Sequence, residues 1–520
     1  MNRLTALTTL AVITIAWIGI SFWTSVEDTP VAPPIQTGHE SGLTATPNAT
    51  PNATPVPCEE PPCHTPVTLE EPTDERAEAD DEEVLIPEVP GPSVVEAGSL
   101  RITTTLSQGL VDPMGTDELY AEIEVEAIGG APAERPSLNV ALVVDRSGSM
   151  RTEPMRYARK AAHTFVEGLD AGDRAALVAF DHRSVVEMPS TGLDVDGQHR
   201  MHAAIDGLRS SGRTNISGGL DDGFEQVMSE EDGDGLRRVV LMTDGIPNEG
   251  ITDRAGLASR SAEIYQEGAV VTTLGFGTQY DASMMSAMAG EGGGNFRHIS
   301  SSEDLEVAFA EELEDIQSTV ASNISIDLFE SQGVQFEEIY GYQSRSLRRG
   351  ERIGIGDLAE GETRSIMVKL DVQELLAEPG EVLDLLRVRP HFVDRTTDTE
   401  VDITVAAQMG ITTNRDAIEE SVEAYVMDRV EELQMVASVR RAARLHSQGQ
   451  TEEAKRAMQD EQERIERVTE SGADSRREAS LGRMRRIADD AQESFQAPPA
   501  EAEDRSRSME MQLFDADQGR

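Results

Sequence analysis

Four short runs, VALVVD, RAALVAFD, RRVVLMTDG and AVVTTLGFG, are apolar almost throughout and rich in β-branched residues. Between them lie stretches of helical periodicity, among them MRYARKAAHTFVEGL, HAAIDGL, LASRSAEIYQEG and EDLEVAFAEELEDIQ. A strand that is apolar on both sides must be covered on both sides, and crossover helices supply that cover. The pattern predicts an α/β fold with a mainly parallel sheet over residues 137–319.

The first of these strands runs directly into Asp145, Ser147 and Ser149. In an open parallel sheet, ligands gather beyond the carboxyl ends of the strands, where the chain order reverses. Alternate spacing in a tight turn lets the three side chains converge. SGRTNISGGL places Thr214 in a glycine-flanked loop that opens a helix, and RRVVLMTDG places Asp244 at another strand end. All five offer oxygen, which suits Mg²⁺, Mn²⁺ or Ca²⁺ rather than zinc or copper. HExxH, SxxK, GxSxG and P-loop patterns are absent from the sequence. Ser and Thr without a positioned His or Glu base give no means of activating water, so the expectation is a binding protein and no enzyme.

Asp145-x-Ser147-x-Ser149, Thr214 and Thr243-Asp244-Gly245 resemble, position by position, the metal-ion-dependent adhesion site of von Willebrand factor type A domains. GFG at Gly275 to Gly277 and GGGNFRHI at Gly292 to Ile299 are similar to that family's late strands. The resemblance implies a Rossmann-like domain in which Ser147, Ser149 and Thr214 bind the cation directly, Mg²⁺ first among the candidates. It implies that Asp145 and Asp244 act through bound water, and that one coordination position beside Ser147, Ser149 and Thr214 stays open. A partner protein's exposed Asp or Glu would fill that position, which makes the domain a cation-dependent adhesion or scaffold module.

The flanking segments organise around this domain. LRITTTLSQGL and ELYAEIEVEAIG alternate with period two and predict antiparallel strands over residues 98–136. ISIDLFES, VQFEEIYGY, TRSIMVKLDV, DLLRVRPHFVD and EVDITVAAQ predict an all-β unit at 320–412. The early strands have no core of their own, so they are expected to join the later ones in one sandwich, with the α/β domain inserted or adjoining. Residues 413–497 read as helical: Ile418, Val422, Tyr425, Val426, Val430 and Leu433 mark one face, and Gly449 separates two helices. Residues 498–520 read as a tail. The sandwich and helical region resemble bacterial proteins labelled calcium-activated chloride channel homologues, although one hydrophobic span cannot line a pore by itself.

Residues 1–26 contain an uncharged apolar run from Leu4 to Val26, long enough to cross a bilayer. Arg3 before it and Glu27 and Asp28 after it put the body outside the cytoplasm, either periplasmic or at the cell surface, on a retained anchor. Cleavage of the segment as a signal peptide, giving a secreted body, is the alternative. Residues 27–97 read as a disordered Pro/Thr/acidic spacer, with N-x-T sequons at Asn48 and Asn52. Cys58 and Cys63 are spaced for a small local disulfide. The 45 basic and 96 acidic residues give a net charge of −51, which repels nucleic acid and anionic lipid and favours divalent cations. A second class of function, a scaffold subunit of a membrane-associated or ATPase-driven assembly, would use the helical region for its contacts. His163 is expected as an ordinary helix residue, Asp181 and His182 as rim polarity, and Glu311, Glu312 and Glu314 as a solvated face.

Overall fold

A computed structural model describes residues 85–519, apart from 116, 131–134, 230–234, 278, 302–303, 341–349, 351, 374, 471–474 and 496–498. The apolar run of residues 1–26, the two sequons, Cys58 and Cys63, and most of the expected spacer lie outside the described residues. Among the described residues no helix is long and apolar enough to cross a membrane.

The chain enters through strands β1 (Ser93–Ala97), β2 (Leu100–Leu106), β3 (Leu110–Val111) and β4 (Asp117–Ala127). The spacer was expected to reach residue 97, but β1 already pairs antiparallel with β2, from Ser93 opposite Thr104 to Ala97 opposite Leu100. SVVEA is a half-buried edge strand whose Val95 packs on the sandwich core. Its short length and the Pro-rich, acidic residues before it conceal the alternation.

The α/β domain follows as β5 (Leu138–Asp145), α1 (Glu153–Glu167), β6 (Arg174–Phe180), β7 (Ser184–Gly192), α2 (Val195–Gly207) and α3 (Ile216–Met228). It continues with β8 (Leu236–Thr243), α4 (Arg254–Gln266), β9 (Val270–Phe276), α5 (Ala282–Glu291), β10 (Gly293–Ile299) and α6 (Leu305–Gln317). The sheet order is β10-β9-β8-β5-β6-β7, parallel except for β7. Every residue of β5 is buried. Val140, Leu142 and Val144 pack with residues of α1, α2 and α6, while Ala141 and Val143 pack with residues of α3, α4 and α5. Each such Val or Leu is worth about 1.5–3 kcal/mol of burial, which explains why the run shows no polar alternation. The chain leaves β5 toward β6 on one side and returns to β8 on the other, so the reversal point lies at the carboxyl end of β5.

The second half of the sandwich comprises β11 (Thr319–Glu330), β12 (Val334–Tyr340), β13 (Arg352–Ala359), β14 (Thr363–Val372), β15 (Val382–Asp394), β16 (Thr399–Asp402) and β17 (Val405–Ile411). One sheet runs β1-β2-β4-β14-β12 and the other β13-β11-β15-β17-β3, with β16 added to β15. β14 pairs with β4 from Thr363 opposite Glu126 to Val372 opposite Asp117. The strands before the α/β domain therefore close on those after it, and Ile102, Ile123, Val125, Ile326, Val368 and Val388 share one core. β13 is hard to see in the sequence because Gly354 and Gly356 alternate with its buried Ile353 and Ile355.

The helical region contains α7 (Arg415–Glu420), α8 (Ala424–Ser447), α9 (Thr451–Glu470), α10 (Ser475–Ser494) and α11 (Pro499–Gln518). Val426, Val430 and Leu433 pack on Tyr120 and Met367 of the first sheet. Val422, expected on the same stripe, is 44% exposed because it falls between α7 and α8, and Tyr425, in the first turn of α8, is 39% exposed. Gly449 makes the turn into α9 with φ +81. The expected tail from residue 498 is instead α11. Its Met509 and Leu513 enter a core with Met435, Val439, Met458 and Met484, and its Phe514 meets Phe296 edge-on at 6.2 Å. Few apolar residues mark this helix; ion pairs such as Arg440 with Asp517 fix much of the remainder.

Candidate metal centre

Three loops meet at the carboxyl end of β5, and backbone hydrogen bonds lace them together. Arg146 N donates to Phe180 O at 2.8 Å, Ser211 N to Arg146 O at 2.6 Å, and Asn215 N to Asp181 O at 2.8 Å. The loop carrying Thr214 is drawn in by α3. A Cβ on Gly219 would stand 2.6 Å from the Phe180 ring, and one on Gly223 2.5 Å from Val143 Cγ2, so only glycine allows this approach. Asn215 caps α3 through Gly218 N.

The five oxygen-bearing residues named from the sequence stand together. Asp145 is fully buried; Ser147 N donates to its Oδ1 at 2.6 Å and Thr243 Oγ1 to its Oδ2 at 2.5 Å. Ser147 Oγ and Ser149 Oγ are 2.9 Å apart, and Ser149 Oγ donates to Asp244 Oδ1 at 2.6 Å. A Cβ placed on Gly245 would fall 3.4 Å from Thr214 Oγ1, 3.6 Å from Ser149 Oγ and 3.7 Å from Asp145 Oδ2. Oxygens from all three loops thus face one small region. A cavity of about 570 Å³ opens above them, lined in part by Ser147, Ser149, Thr214 and Asn248.

The carboxylates of the site are not neutralised by an ion pair. Among the described residues neither Asp145 nor Asp244 has a Lys, Arg or His partner. Burial pushes the Asp145 carboxyl up to about 7, against the pull of the Thr243 hydroxyl and the Ser147 amide; the Asp244 charge pushes the same way. Burial also holds the Asp244 carboxyl above its ordinary value, with Ser149 opposing. Hydroxyl and amide dipoles orient these carboxylates but do not neutralise them. A hard divalent ion fits this donor set, since it favours oxygen ligands and supplies the missing charge. Among the described residues no group of three or more His, Cys, Asp or Glu is placed to hold a metal.

Several supporting residues escape a reading by ligand type. Asn248 Oδ1 accepts from Thr214 N at 3.0 Å, and Asn248 N returns a bond to Thr214 O at 2.9 Å. Asp181 is more than rim polarity. It is 2% exposed and accepts from Arg146 Nε at 3.1 Å, Ser211 Oγ at 3.2 Å and Arg183 N at 3.0 Å, tying the β5 turn to the Thr214 loop. His182 Nδ1 lies 2.7 Å from the same carboxylate. His163 is half-buried, with Nδ1 2.6 Å from His202 Nδ1 across the gap between α1 and α2. Glu312, expected on a solvated face, is 1% exposed and accepts from Thr272 Oγ1 at 2.7 Å, because α6 turns that position toward β9.

Comparison with known proteins agrees with this architecture. Residues 139–317 match the family model described as the von Willebrand factor type A domain. Uncharacterized protein YfbK of Escherichia coli (strain K12) is 26% identical over 287 residues, covering 54% of this chain and 48% of that protein. Human inter-alpha-trypsin inhibitor heavy chain H1 is 26% identical over 276 residues, covering 49% of this chain and 29% of that one. The chain thus spans about half or less of the length of these relatives. Among solved structures, the von Willebrand factor type A protein from Catenulispora acidiphila aligns with a TM-score of 0.62 at 16% identity, over 84% of this chain and 100% of that one. That likeness extends the shared fold beyond the α/β domain.

Proposed function

We propose that the rim of the domain at residues 139–317, which match the von Willebrand factor type A model, grips an acidic residue of a partner protein through a divalent cation, Mg²⁺ in the first instance. Domains of this family are protein-interaction and adhesion modules, generally non-enzymatic, and commonly hold a divalent ion at the corresponding site. The observation that carries the reading is the convergence at Gly245 of Thr214, Ser149 and Asp145 oxygens beside two buried carboxylates that lack a basic partner.

The chain's own residues divide the work. Ser147, Ser149 and Thr214 present hydroxyl oxygens toward the cavity. Asp145, occupied by Thr243 and the Ser147 amide, stays behind them and fixes the turn. Asp244 orients Ser149. Asn248 and Asp181 hold the Thr214 loop in register with the other two. When bound, the cation supplies the positive charge that the rim lacks and a ligand position for an incoming carboxylate.

Asp145→Ala in the full chain should reduce Mn²⁺ affinity by at least about 100-fold in calorimetry, with the fold retained by circular dichroism. Unchanged affinity would defeat the proposal. The apolar run at residues 4–26 supports display of this face outside the cytoplasm. Protease added to intact spheroplasts should then digest the body; a protected body would place it inside.

A further inference from the structure

The cavity over the candidate centre has a second wall that belongs to a different part of the chain. Besides Ser147, Ser149 and Thr214, it is lined by Glu503 and Arg507 of α11. That helix is firmly seated on the α/β domain. Arg507 Nε donates to Tyr280 O at 3.3 Å, and its guanidinium lies 5.4 Å over the Tyr280 ring. Asp504 Oδ1 is 3.3 Å from His298 Nε2, and Ser286 Oγ donates to Glu510 at 2.8 Å. The Arg507 side chain is only 10% exposed, whereas Glu503, 60% exposed, reaches it loosely at 3.5 Å. The other basic residue lining the cavity, Arg213, is held by Glu249 at 2.6 Å and is largely in solvent.

Resting on the reading of the rim as a cation site, we propose that α11 completes the ligand-binding surface, and that Arg507 reads a second carboxylate of the partner. The occupant is an acidic segment with two carboxylates, one directed to the rim and one to Arg507. Charge sets the requirement. The chain carries −51, so an acidic partner is repelled overall and needs fixed positive groups at the point of contact. Arg507 is anchored through Tyr280 and loses little freedom on binding, and a guanidinium–carboxylate contact is charge-assisted. Glu503 can exchange out of its pair at little cost because it already stands mostly in water. Glu503 thus acts as a mild competitor for Arg507, and both are specificity-determining positions.

The test uses the full chain loaded with Mn²⁺ and titrated calorimetrically with acetate and with straight dicarboxylates from succinate to suberate. At least one dicarboxylate should bind about tenfold tighter than acetate. Arg507→Gln should erase that advantage without changing Mn²⁺ affinity, Arg507→Lys should restore part of it, and Glu503→Gln should raise dicarboxylate affinity about threefold. Glu503 is exposed, so its variant stays informative if Arg507→Gln disturbs the helix. No dicarboxylate preference, or one that neither Arg507→Gln nor Glu503→Gln alters, overturns the inference while leaving the cation site standing. Failure of the wild-type chain to take up Mn²⁺ overturns the rim reading, and this inference with it.

Discussion

In the helical region Glu432 is 1% exposed and lies between Arg483 Nε and Arg429 Nη1, each at 2.9 Å; at the rim Asp145 is equally buried and receives an amide and a hydroxyl. Burial raises both carboxyls. For Glu432 the two arginines overcome it and hold the group below its ordinary value, whereas Asp145 is left at about 7. The junction between the α/β domain and the sandwich repeats the arginine solution, with Arg238 Nη2 2.8 Å from Asp357 and both side chains nearly inaccessible. At these two structural positions the chain supplies its own cation. At the rim it supplies only dipoles, and the charge is left for something from outside.

The contrast can be broken most forcefully at the junction. Arg238→Met would leave the buried Asp357 without a cation, its Oδ1 still accepting from Asn323 N at 2.8 Å, costing up to about 5 kcal/mol in urea denaturation, and a second change, Asp357→Leu, should recover most of it. A loss below about 1 kcal/mol would mean that the junction tolerates an uncompensated acid as the rim does.

The next largest effect concerns pH in the presence of chelator. Asp145 binds its proton more tightly folded than unfolded, so its contribution is fully present below its unfolded pKa and is lost as pH rises toward 7. The stability of wild type relative to Asp145→Asn should therefore fall between about pH 4 and pH 7, by about 4 kcal/mol at most. Saturating Mg²⁺ should remove that trend. A flat difference without metal would show that the hydroxyls neutralise the charge after all.

A smaller effect sharpens the geometry. Gly219→Ala gains helix propensity but drives a methyl into Phe180 and Val143, for a net cost of about 1–2 kcal/mol. Pushing α3 outward carries Thr214 with it, so Mn²⁺ affinity should drop with stability. Retained affinity would uncouple the two.

Much of the architecture was legible because periodicity and burial coincide. β5 is apolar on both faces, and it lies between two helical layers; β2 and β4 alternate, and they close the sandwich with β14. The rim residues could be named because chemistry that needs several oxygens leaves a pattern of residue types at strand ends. β1, β13 and α11 were hidden for separate reasons: an edge strand is too short to show a period, glycines interrupt another, and a helix fixed largely by ion pairs carries a weak apolar stripe.

By itself, the sequence determined which strands must be covered on both faces, where oxygen-rich turns end them, and that the chain as a whole repels anions. Tertiary structure decided which buried acids receive an arginine and which do not. It also brought a helix from the end of the chain to the wall of the rim cavity. Those outcomes depend largely on contacts between residues tens to hundreds of positions apart, and the sequence carries no mark of them until packing brings the groups together.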